Sequence, residues 1–310
     1  MKFKLHKSSI LLIFLVINIC LAAVVIYLIF SIERVRVGNF DAGQTNYSFS
    51  FLPNQLVNQI NLNSRAFIVY DTKNRSIVAG KNEKLRFAPA SSAKIMAAIV
   101  AMENYDLNKV LTAQNLDKLG ADNSKMKLVE GEQMTVENLL YGMMLPSGND
   151  AALVVAQNFV SNKNDSRGVD GFVEAMNKKA RLLKLENTNF ADYDGYDDRN
   201  YTTAYDLARL GAYAMKNPKF AKIVGTKFKV VTDISGSFSH NLENLNIFLG
   251  KYGVNGIKTG FTDEARGVLV TSINNAQNNY IVVVLGSQDR FLDTKSVIEN
   301  AIFKIGTLFY

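Results

Sequence analysis

Strand-like segments stand at both ends of the folding region of this chain, and the stretch between them is patterned for helices, which leaves few architectures open. Arg65 to Tyr70 reads as a strand, Asp71-Thr72-Lys73-Asn74 as a turn, and Ser76 to Ala79 as the return strand of a hairpin. Far downstream, Lys227 to Thr232, Gly267 to Ile273 and Tyr280 to Leu285 are β-branched and aromatic runs split by Asn/Gly turns. Between the two groups, Ala93 to Asn104 carries good helix formers without a breaker. Thr135 is placed to cap a helix that ends at Leu145, and Pro146-Ser147-Gly148 separates it from another beginning at Asn149. Val169 to Leu185 and Thr203 to Lys216 are amphipathic, and Arg290 to Leu308 closes the chain with Phe291, Ile298, Ile302 and Ile305 on one side. The expectation is an α+β fold. One antiparallel sheet is built from both ends of the domain and flanked by helices, with a helical subdomain inserted in the middle.

Ahead of this region, Ile10 to Phe30 holds no charged residue. At about 1.5 Å per residue a helix over that run rises about 31 Å, enough to cross a bilayer's hydrocarbon core. No small-x-small cleavage site follows, and Ile19 before Cys20 is too bulky for a lipoprotein signal. The division expected is therefore a cytoplasmic tip over 1–9, a transmembrane signal-anchor over 10–30, a polar stalk over 31–60 and an extracytoplasmic domain over 61–310; secretion after cleavage is the alternative. Lysines before the run favour an inward N-terminus, although Arg34 and Arg36 weaken the asymmetry.

Composition narrows the chemistry. At 48% hydrophobic and 20% charged residues the chain is a core-former, not a disordered one. Lys2, Lys4 and Lys7 supply three of the net +7, and no basic cluster interleaved with aromatics points to nucleic acid. One cysteine and two histidines argue against a disulfide or a His/Cys zinc site, so no cofactor is expected. A serine nucleophile needs a base, and a histidine base would have to be His240, because His6 lies in the basic tip. Lysine is the available base.

Three motifs supply it in order. In Ser91-Ser92-Ala93-Lys94 the lysine follows the serine by three positions, so on a helix the two share a side. Ser147-Gly148-Asn149 sits in a tight connection between helices, and Lys258-Thr259-Gly260 reads as strand, with Lys258 and Gly260 on one face and Thr259 on the other. Each alone is weak: Ser124-Lys125-Met126-Lys127 repeats the first pattern, and Ser239-His240-Asn241 and Ser272-Ile273-Asn274 repeat the second. Together they are far more specific.

With Ala88-Pro89-Ala90 before Ser91, Asp150-Ala151-Ala152 after Asn149, Thr203-Ala204-Tyr205-Asp206-Leu207-Ala208, and Gly253 to Thr262, the chain resembles the low-molecular-mass penicillin-binding proteins that act as serine-type D-alanyl-D-alanine carboxypeptidases. The likeness runs from about Arg65 to Ile305 and implies a β-lactamase/transpeptidase-like fold, a peptidoglycan stem peptide as substrate and β-lactams as covalent inhibitors. It implies that Ser91 attacks the carbonyl between two D-alanines, Lys94 takes its proton and Ser147 relays it to the leaving amine. Asn149 holds the substrate amide, Lys258 and Thr259 meet its carboxylate, Gly260 leaves the backbone open, and the N–H groups of Ser91 and Phe261 form the oxyanion hole. Two departures stand out: Asp192-Tyr193-Asp194-Gly195 replaces a usual Asn-Pro-His-Gly-like stretch, and Arg266 stands where glycine is common, either as a carboxylate anchor or as a surface residue. Competing readings are a β-lactamase using a carboxylate of the cluster Asp192, Asp194, Asp197 and Asp198, a D,D-endopeptidase or transpeptidase, and an inactive wall-binding scaffold.

Overall fold

The computed structural model describes residues 47–49, 62–120, 124–160, 168–274 and 278–303. In chain order these hold strands β1 (Tyr47–Phe49), β2 (Ala66–Asp71) and β3 (Ser76–Lys81), a 3₁₀ turn at Ala90–Ala93, helix α1 (Lys94–Asn104) and short strands β4 (Val110–Thr112) and β5 (Gln133–Thr135). Helices α2 (Val136–Met144), α3 (Asn149–Gln157), α4 (Gly168–Leu182), α5 (Ala204–Ala214) and α6 (Pro218–Val224) follow. Strands β6 (Phe228–Thr232), β7 (Ser239–Glu243), β8 (Val254–Thr262), β9 (Arg266–Asn274) and β10 (Asn279–Ser287) come next, then α7 (Arg290–Val297) and a wider last turn, Ile298–Phe303.

The main sheet has the order β1-β3-β2-β10-β9-β8, antiparallel throughout. Its centre joins the two ends of the domain: β2 lies against β10, with Ile68 opposite Val283. Strand alternation sorts the side chains to two cores. Ala66, Ile68, Val270, Ile281 and Val283 face the helices α1 to α6, whereas Phe67, Val69, Leu269, Val282 and Val284 face Val297, Ile298 and Ile302 of the closing helical segment. Both faces are covered, which is why β9 and β10 read as near-continuous apolar runs.

Local chemistry sets the element ends. Asp71 accepts hydrogen bonds from the Lys73 and Asn74 amides and so fixes the first hairpin turn. Thr135 caps α2 through the Asn138 amide, Thr203 caps α5 through Asp206, and Asn217 with Pro218 opens α6. The expected α+β arrangement holds, with three amendments. Phe228–Thr232 leaves the main sheet and pairs with Ser239–Glu243 in a separate hairpin, because one side of that hairpin packs on the helices through Val231 and Leu242. Tyr47–Phe49, inside the stretch read as a stalk, adds an edge strand on β3. The regular closing helix ends at Val297, and residues 304–310 lie outside the described part. The expected membrane span over 10–30 also lies outside the described residues. Among those that are described, no helix is long and apolar enough to cross a membrane.

Candidate active site

The turn Ala90–Ala93 presents Ser91 just ahead of α1, whose first residue is Lys94. Lys94 is wholly buried, and its Nζ lies 2.9 Å from Ser91 Oγ, 2.6 Å from Asn149 Oδ1 and 3.1 Å from the Asp194 carbonyl oxygen. One lysine thus joins the start of α1, the start of α3 and the loop before α5. Burial pushes its pKa below the usual ammonium range, while the nearby carboxylates of Asp194, Asp192 and Asp150 oppose that shift. A neutral amine has two N–H groups and one lone pair. The carbonyl-type oxygens of Asn149 and Asp194 can accept the two hydrogens, which leaves the lone pair for the Ser91 hydroxyl.

Ser147 forms the corner between α2 and α3. Its backbone takes φ +66°, in the left-handed region, and its buried Oγ has no hydrogen-bond partner. Strain together with an unpaired buried hydroxyl costs several kcal/mol on general grounds and marks a position kept for something other than stability. The corner is held by Asp150, whose carboxylate accepts from the amides of Met126, Lys127, Leu128 and Ala151. The Asn149 amide in turn donates to the Ser124 carbonyl at 2.7 Å. Ser124-Lys125-Met126-Lys127, a decoy by its pattern, therefore forms a wall against the second motif. His240 is equally occupied: one ring nitrogen lies 3.1 Å from the Met126 carbonyl and the other 2.6 Å from Glu132 Oε1.

Strand β8 closes the site from the other side. A Cβ on Gly260 would lie 3.0 Å from Ala90 Cβ and 3.1 Å from the Ser91 nitrogen, so any side chain there would push the strand and the serine turn slightly apart. Two residues earlier Lys258 is buried, with Nζ 2.9 Å from the Thr259 carbonyl. Burial first, then the positive charges of Lys94 and Arg290, hold its pKa far below the ordinary lysine range. Thr259 is buried, whereas the Phe261 side chain is largely exposed.

The structure thus brings Ser91, Lys94, Asn149 and Gly260 into contact, with Ser147, Lys258, Thr259 and Phe261 on the flanking corner and strand. Arg266 is not gathered with them: it is exposed at the β8–β9 turn, at φ +55° and paired across to Thr262. The cation next to the lysine strand is instead Arg290, at the start of α7, with Nη1 3.5 Å from the Gly260 carbonyl. Its Nε is buried and unpaired, and burial depresses its pKa. No motif announces Arg290; only the fold of β10 back along β9 delivers it.

Asp194 and Gly195, from the stretch that departs from the family's usual Asn-Pro-His-Gly-like pattern, also reach the site. Gly195 takes φ +86°, and a Cβ there would overlap the Ala90 carbonyl. This divergent loop is therefore packed directly behind the nucleophile. The Asp192 carboxylate is taken up by the Gly195 and Asp197 amides and by Asn200, and Asp197 pairs with Arg199, so the loop's own bonds consume these acids.

The chain is similar to known proteins over most of the domain. Residues 54–289 match the family model described as D-alanyl-D-alanine carboxypeptidase. The chain belongs to this family. It is 35% identical over 213 residues to the D-alanyl-D-alanine carboxypeptidase of Streptomyces sp. strain K15, covering 65% of this chain and 73% of that one. It is 32% identical over 232 residues to D-alanyl-D-alanine carboxypeptidase DacF of Bacillus subtilis, covering 72% of this chain and 57% of that protein. The crystal structure of the Streptomyces K15 DD-transpeptidase superposes with a TM-score of 0.73 at 30% identity, over 78% of this chain and 97% of that one. The chain is therefore a serine-type peptidase of the carboxypeptidase family with the fold of a DD-peptidase.

Proposed function

We propose that the chain removes the terminal D-alanine from peptidoglycan stem peptides through an acyl-enzyme on Ser91, and that β-lactams acylate the same oxygen. The carrying observation is the Lys94 amine, buried and 2.9 Å from Ser91 Oγ, with its two other neighbours both acceptors. In this reading the Ser91 hydroxyl donates its proton to neutral Lys94 as Oγ attacks the carbonyl. The Ser147 hydroxyl, free of other bonds, passes a proton to the departing D-alanine nitrogen. Developing negative charge on the carbonyl oxygen meets the backbone N–H groups of Ser91 and Phe261. Lys258, Thr259 and Arg290 receive the substrate carboxylate, whose charge favours the protonated form of Lys258 that burial alone opposes. Asn149 serves both as a partner of Lys94 and as a hydrogen-bonding group for the substrate amide. Water then releases the shortened peptide and restores Ser91.

The test is a pentapeptide ending in D-Ala-D-Ala, with free D-alanine and labelled penicillin as readouts. Ser91→Ala should lose both while the circular dichroism spectrum stays unchanged; D-alanine release at the original rate would overturn the assignment. The uncharged run 10–30 supports a membrane tether with the domain outside the cytoplasm. Fractionation of cells producing the full chain tests it: recovery in the soluble fraction at the precursor's full length would exclude the tether.

A further inference from the structure

A second cleft, of about 640 Å³, opens at the opposite end of β8 from Gly260 and shares no residue with the serine site. Asn255 lines it, five residues before Gly260, which is about 16 Å along a strand. Arg75, Lys184, Arg209 and Lys216 stand around it, and no carboxylate is among its described lining residues. The cations come from different elements: the first hairpin turn, the end of α4, the middle of α5 and the residues just after it. Arg75 and Arg209 both line the cleft, together with Tyr70 of β2. Arg209 is fixed in place by donating to the Leu183 and Lys184 carbonyls, at 2.9 and 2.7 Å, which also neutralises the negative end of α4. The acids around it are engaged elsewhere: Asp71 accepts from the Lys73 and Asn74 amides and the Asn74 side chain, Asp206 from the Asn187 amide and the Thr188 hydroxyl, and Glu103 pairs with Lys179 and the Tyr213 hydroxyl.

Like charges around one concave site repel until an anion enters. The cleft also holds an unmet acceptor: Asn255 Oδ1 is buried without a hydrogen-bond donor. A ligand that satisfies the whole cleft carries negative charge for the arginines and lysines, and an O–H or N–H for Asn255. We propose that this cleft binds a hydroxyl-bearing phosphate of the glycerol phosphate type, as a free or polymeric group or as a lipid headgroup, at a place separate from the Ser91 chemistry.

The test uses the full chain purified in neutral detergent and titrated calorimetrically with glycerol 3-phosphate, inorganic phosphate and a short-chain phosphatidylglycerol. Saturable binding of glycerol 3-phosphate is expected, tighter than inorganic phosphate and weakened about tenfold or more in Arg75→Ala/Lys216→Ala. Lys251→Ala, outside the cleft, should bind as the parent does. Tighter binding of the lipid than of glycerol 3-phosphate assigns the group to a headgroup, and the reverse order to a soluble or polymeric source. Asn255→Leu should remove the preference for glycerol 3-phosphate over phosphate. No saturable binding of either glycerol compound, binding indifferent to the double substitution, or equal affinity for inorganic phosphate would each overturn the proposal. D-alanine release should be unaltered in Arg75→Ala/Lys216→Ala, so this outcome is separable from the proposed peptidase activity.

Discussion

Asp194 shows how a residue outside the three catalytic motifs can set the pH range of the site. Its carboxyl is pushed up to about 6 by burial, against the opposing pull of Lys94, and its charge in turn raises the Lys94 pKa. Asp194→Asn should therefore lower the Lys94 pKa further, make the neutral amine available earlier, and move the acid limb of penicillin acylation to lower pH. Stability carries the opposite dependence. The folded carboxyl titrates above the ordinary carboxylate value of 3.8, so its favourable contribution is present below that value and is lost as pH rises through about 6. The asparagine variant should escape that loss, and its thermal midpoint should exceed the parent's at pH 7 but not at pH 3.5. Lys258 offers a second conflict between stability and function: a wholly buried amine with one carbonyl partner and two cations nearby. Lys258→Met should gain about 1–3 kcal/mol in urea unfolding. It should also slow acylation by about 100-fold or more, because charge stabilisation is gone.

Elements carry the site because two of them meet it at glycines, where backbone lies against backbone. The loop 192–195 presses Gly195 on the Ala90 carbonyl, and β8 presses Gly260 on the Ser91 amide. Gly195→Ala should destabilise the fold by about 2–4 kcal/mol, combining left-handed backbone strain with overlap against main chain. Asp150 joins the start of α3 to the segment 126–128 through three amide bonds, and a fourth comes from Ala151 within α3. Asp150→Asn turns an N–H₂ group toward some of those donors and should cost about 3 kcal/mol. Faster hydrogen exchange at residues 124–128 would show that the wall beside Ser147 had loosened; unchanged exchange there would refute the anchoring role.

At the scale of the whole molecule, the sheet joins segments some 200 residues apart, since β2 takes β10 as its neighbour. Contacts of that range cannot form until the end of the chain is available. A chain ending at residue 253 would keep α1 to α6 but lose the strand partner of β2 and the entire β8 wall. It should be largely unfolded by near-ultraviolet circular dichroism, and should not retain a native helical half.

Much of this was legible in the residues themselves, because strand and helix periods report burial locally. Ser91 and Lys94 are neighbours by helical geometry, Thr135 and Thr203 cap where their spacing requires, and the apolar runs of β9 and β10 announce a sheet covered on both faces. Other relations were hidden because they depend on which distant surfaces meet. Arg290 rather than Arg266 beside Lys258, Asp194 and Gly195 behind Ser91, His240 spent on Glu132, and a separate hairpin at 228–243 carry no local signature. A sequence records the period of each element. The direction in which a buried charge points is fixed only when close packing leaves it one place to go.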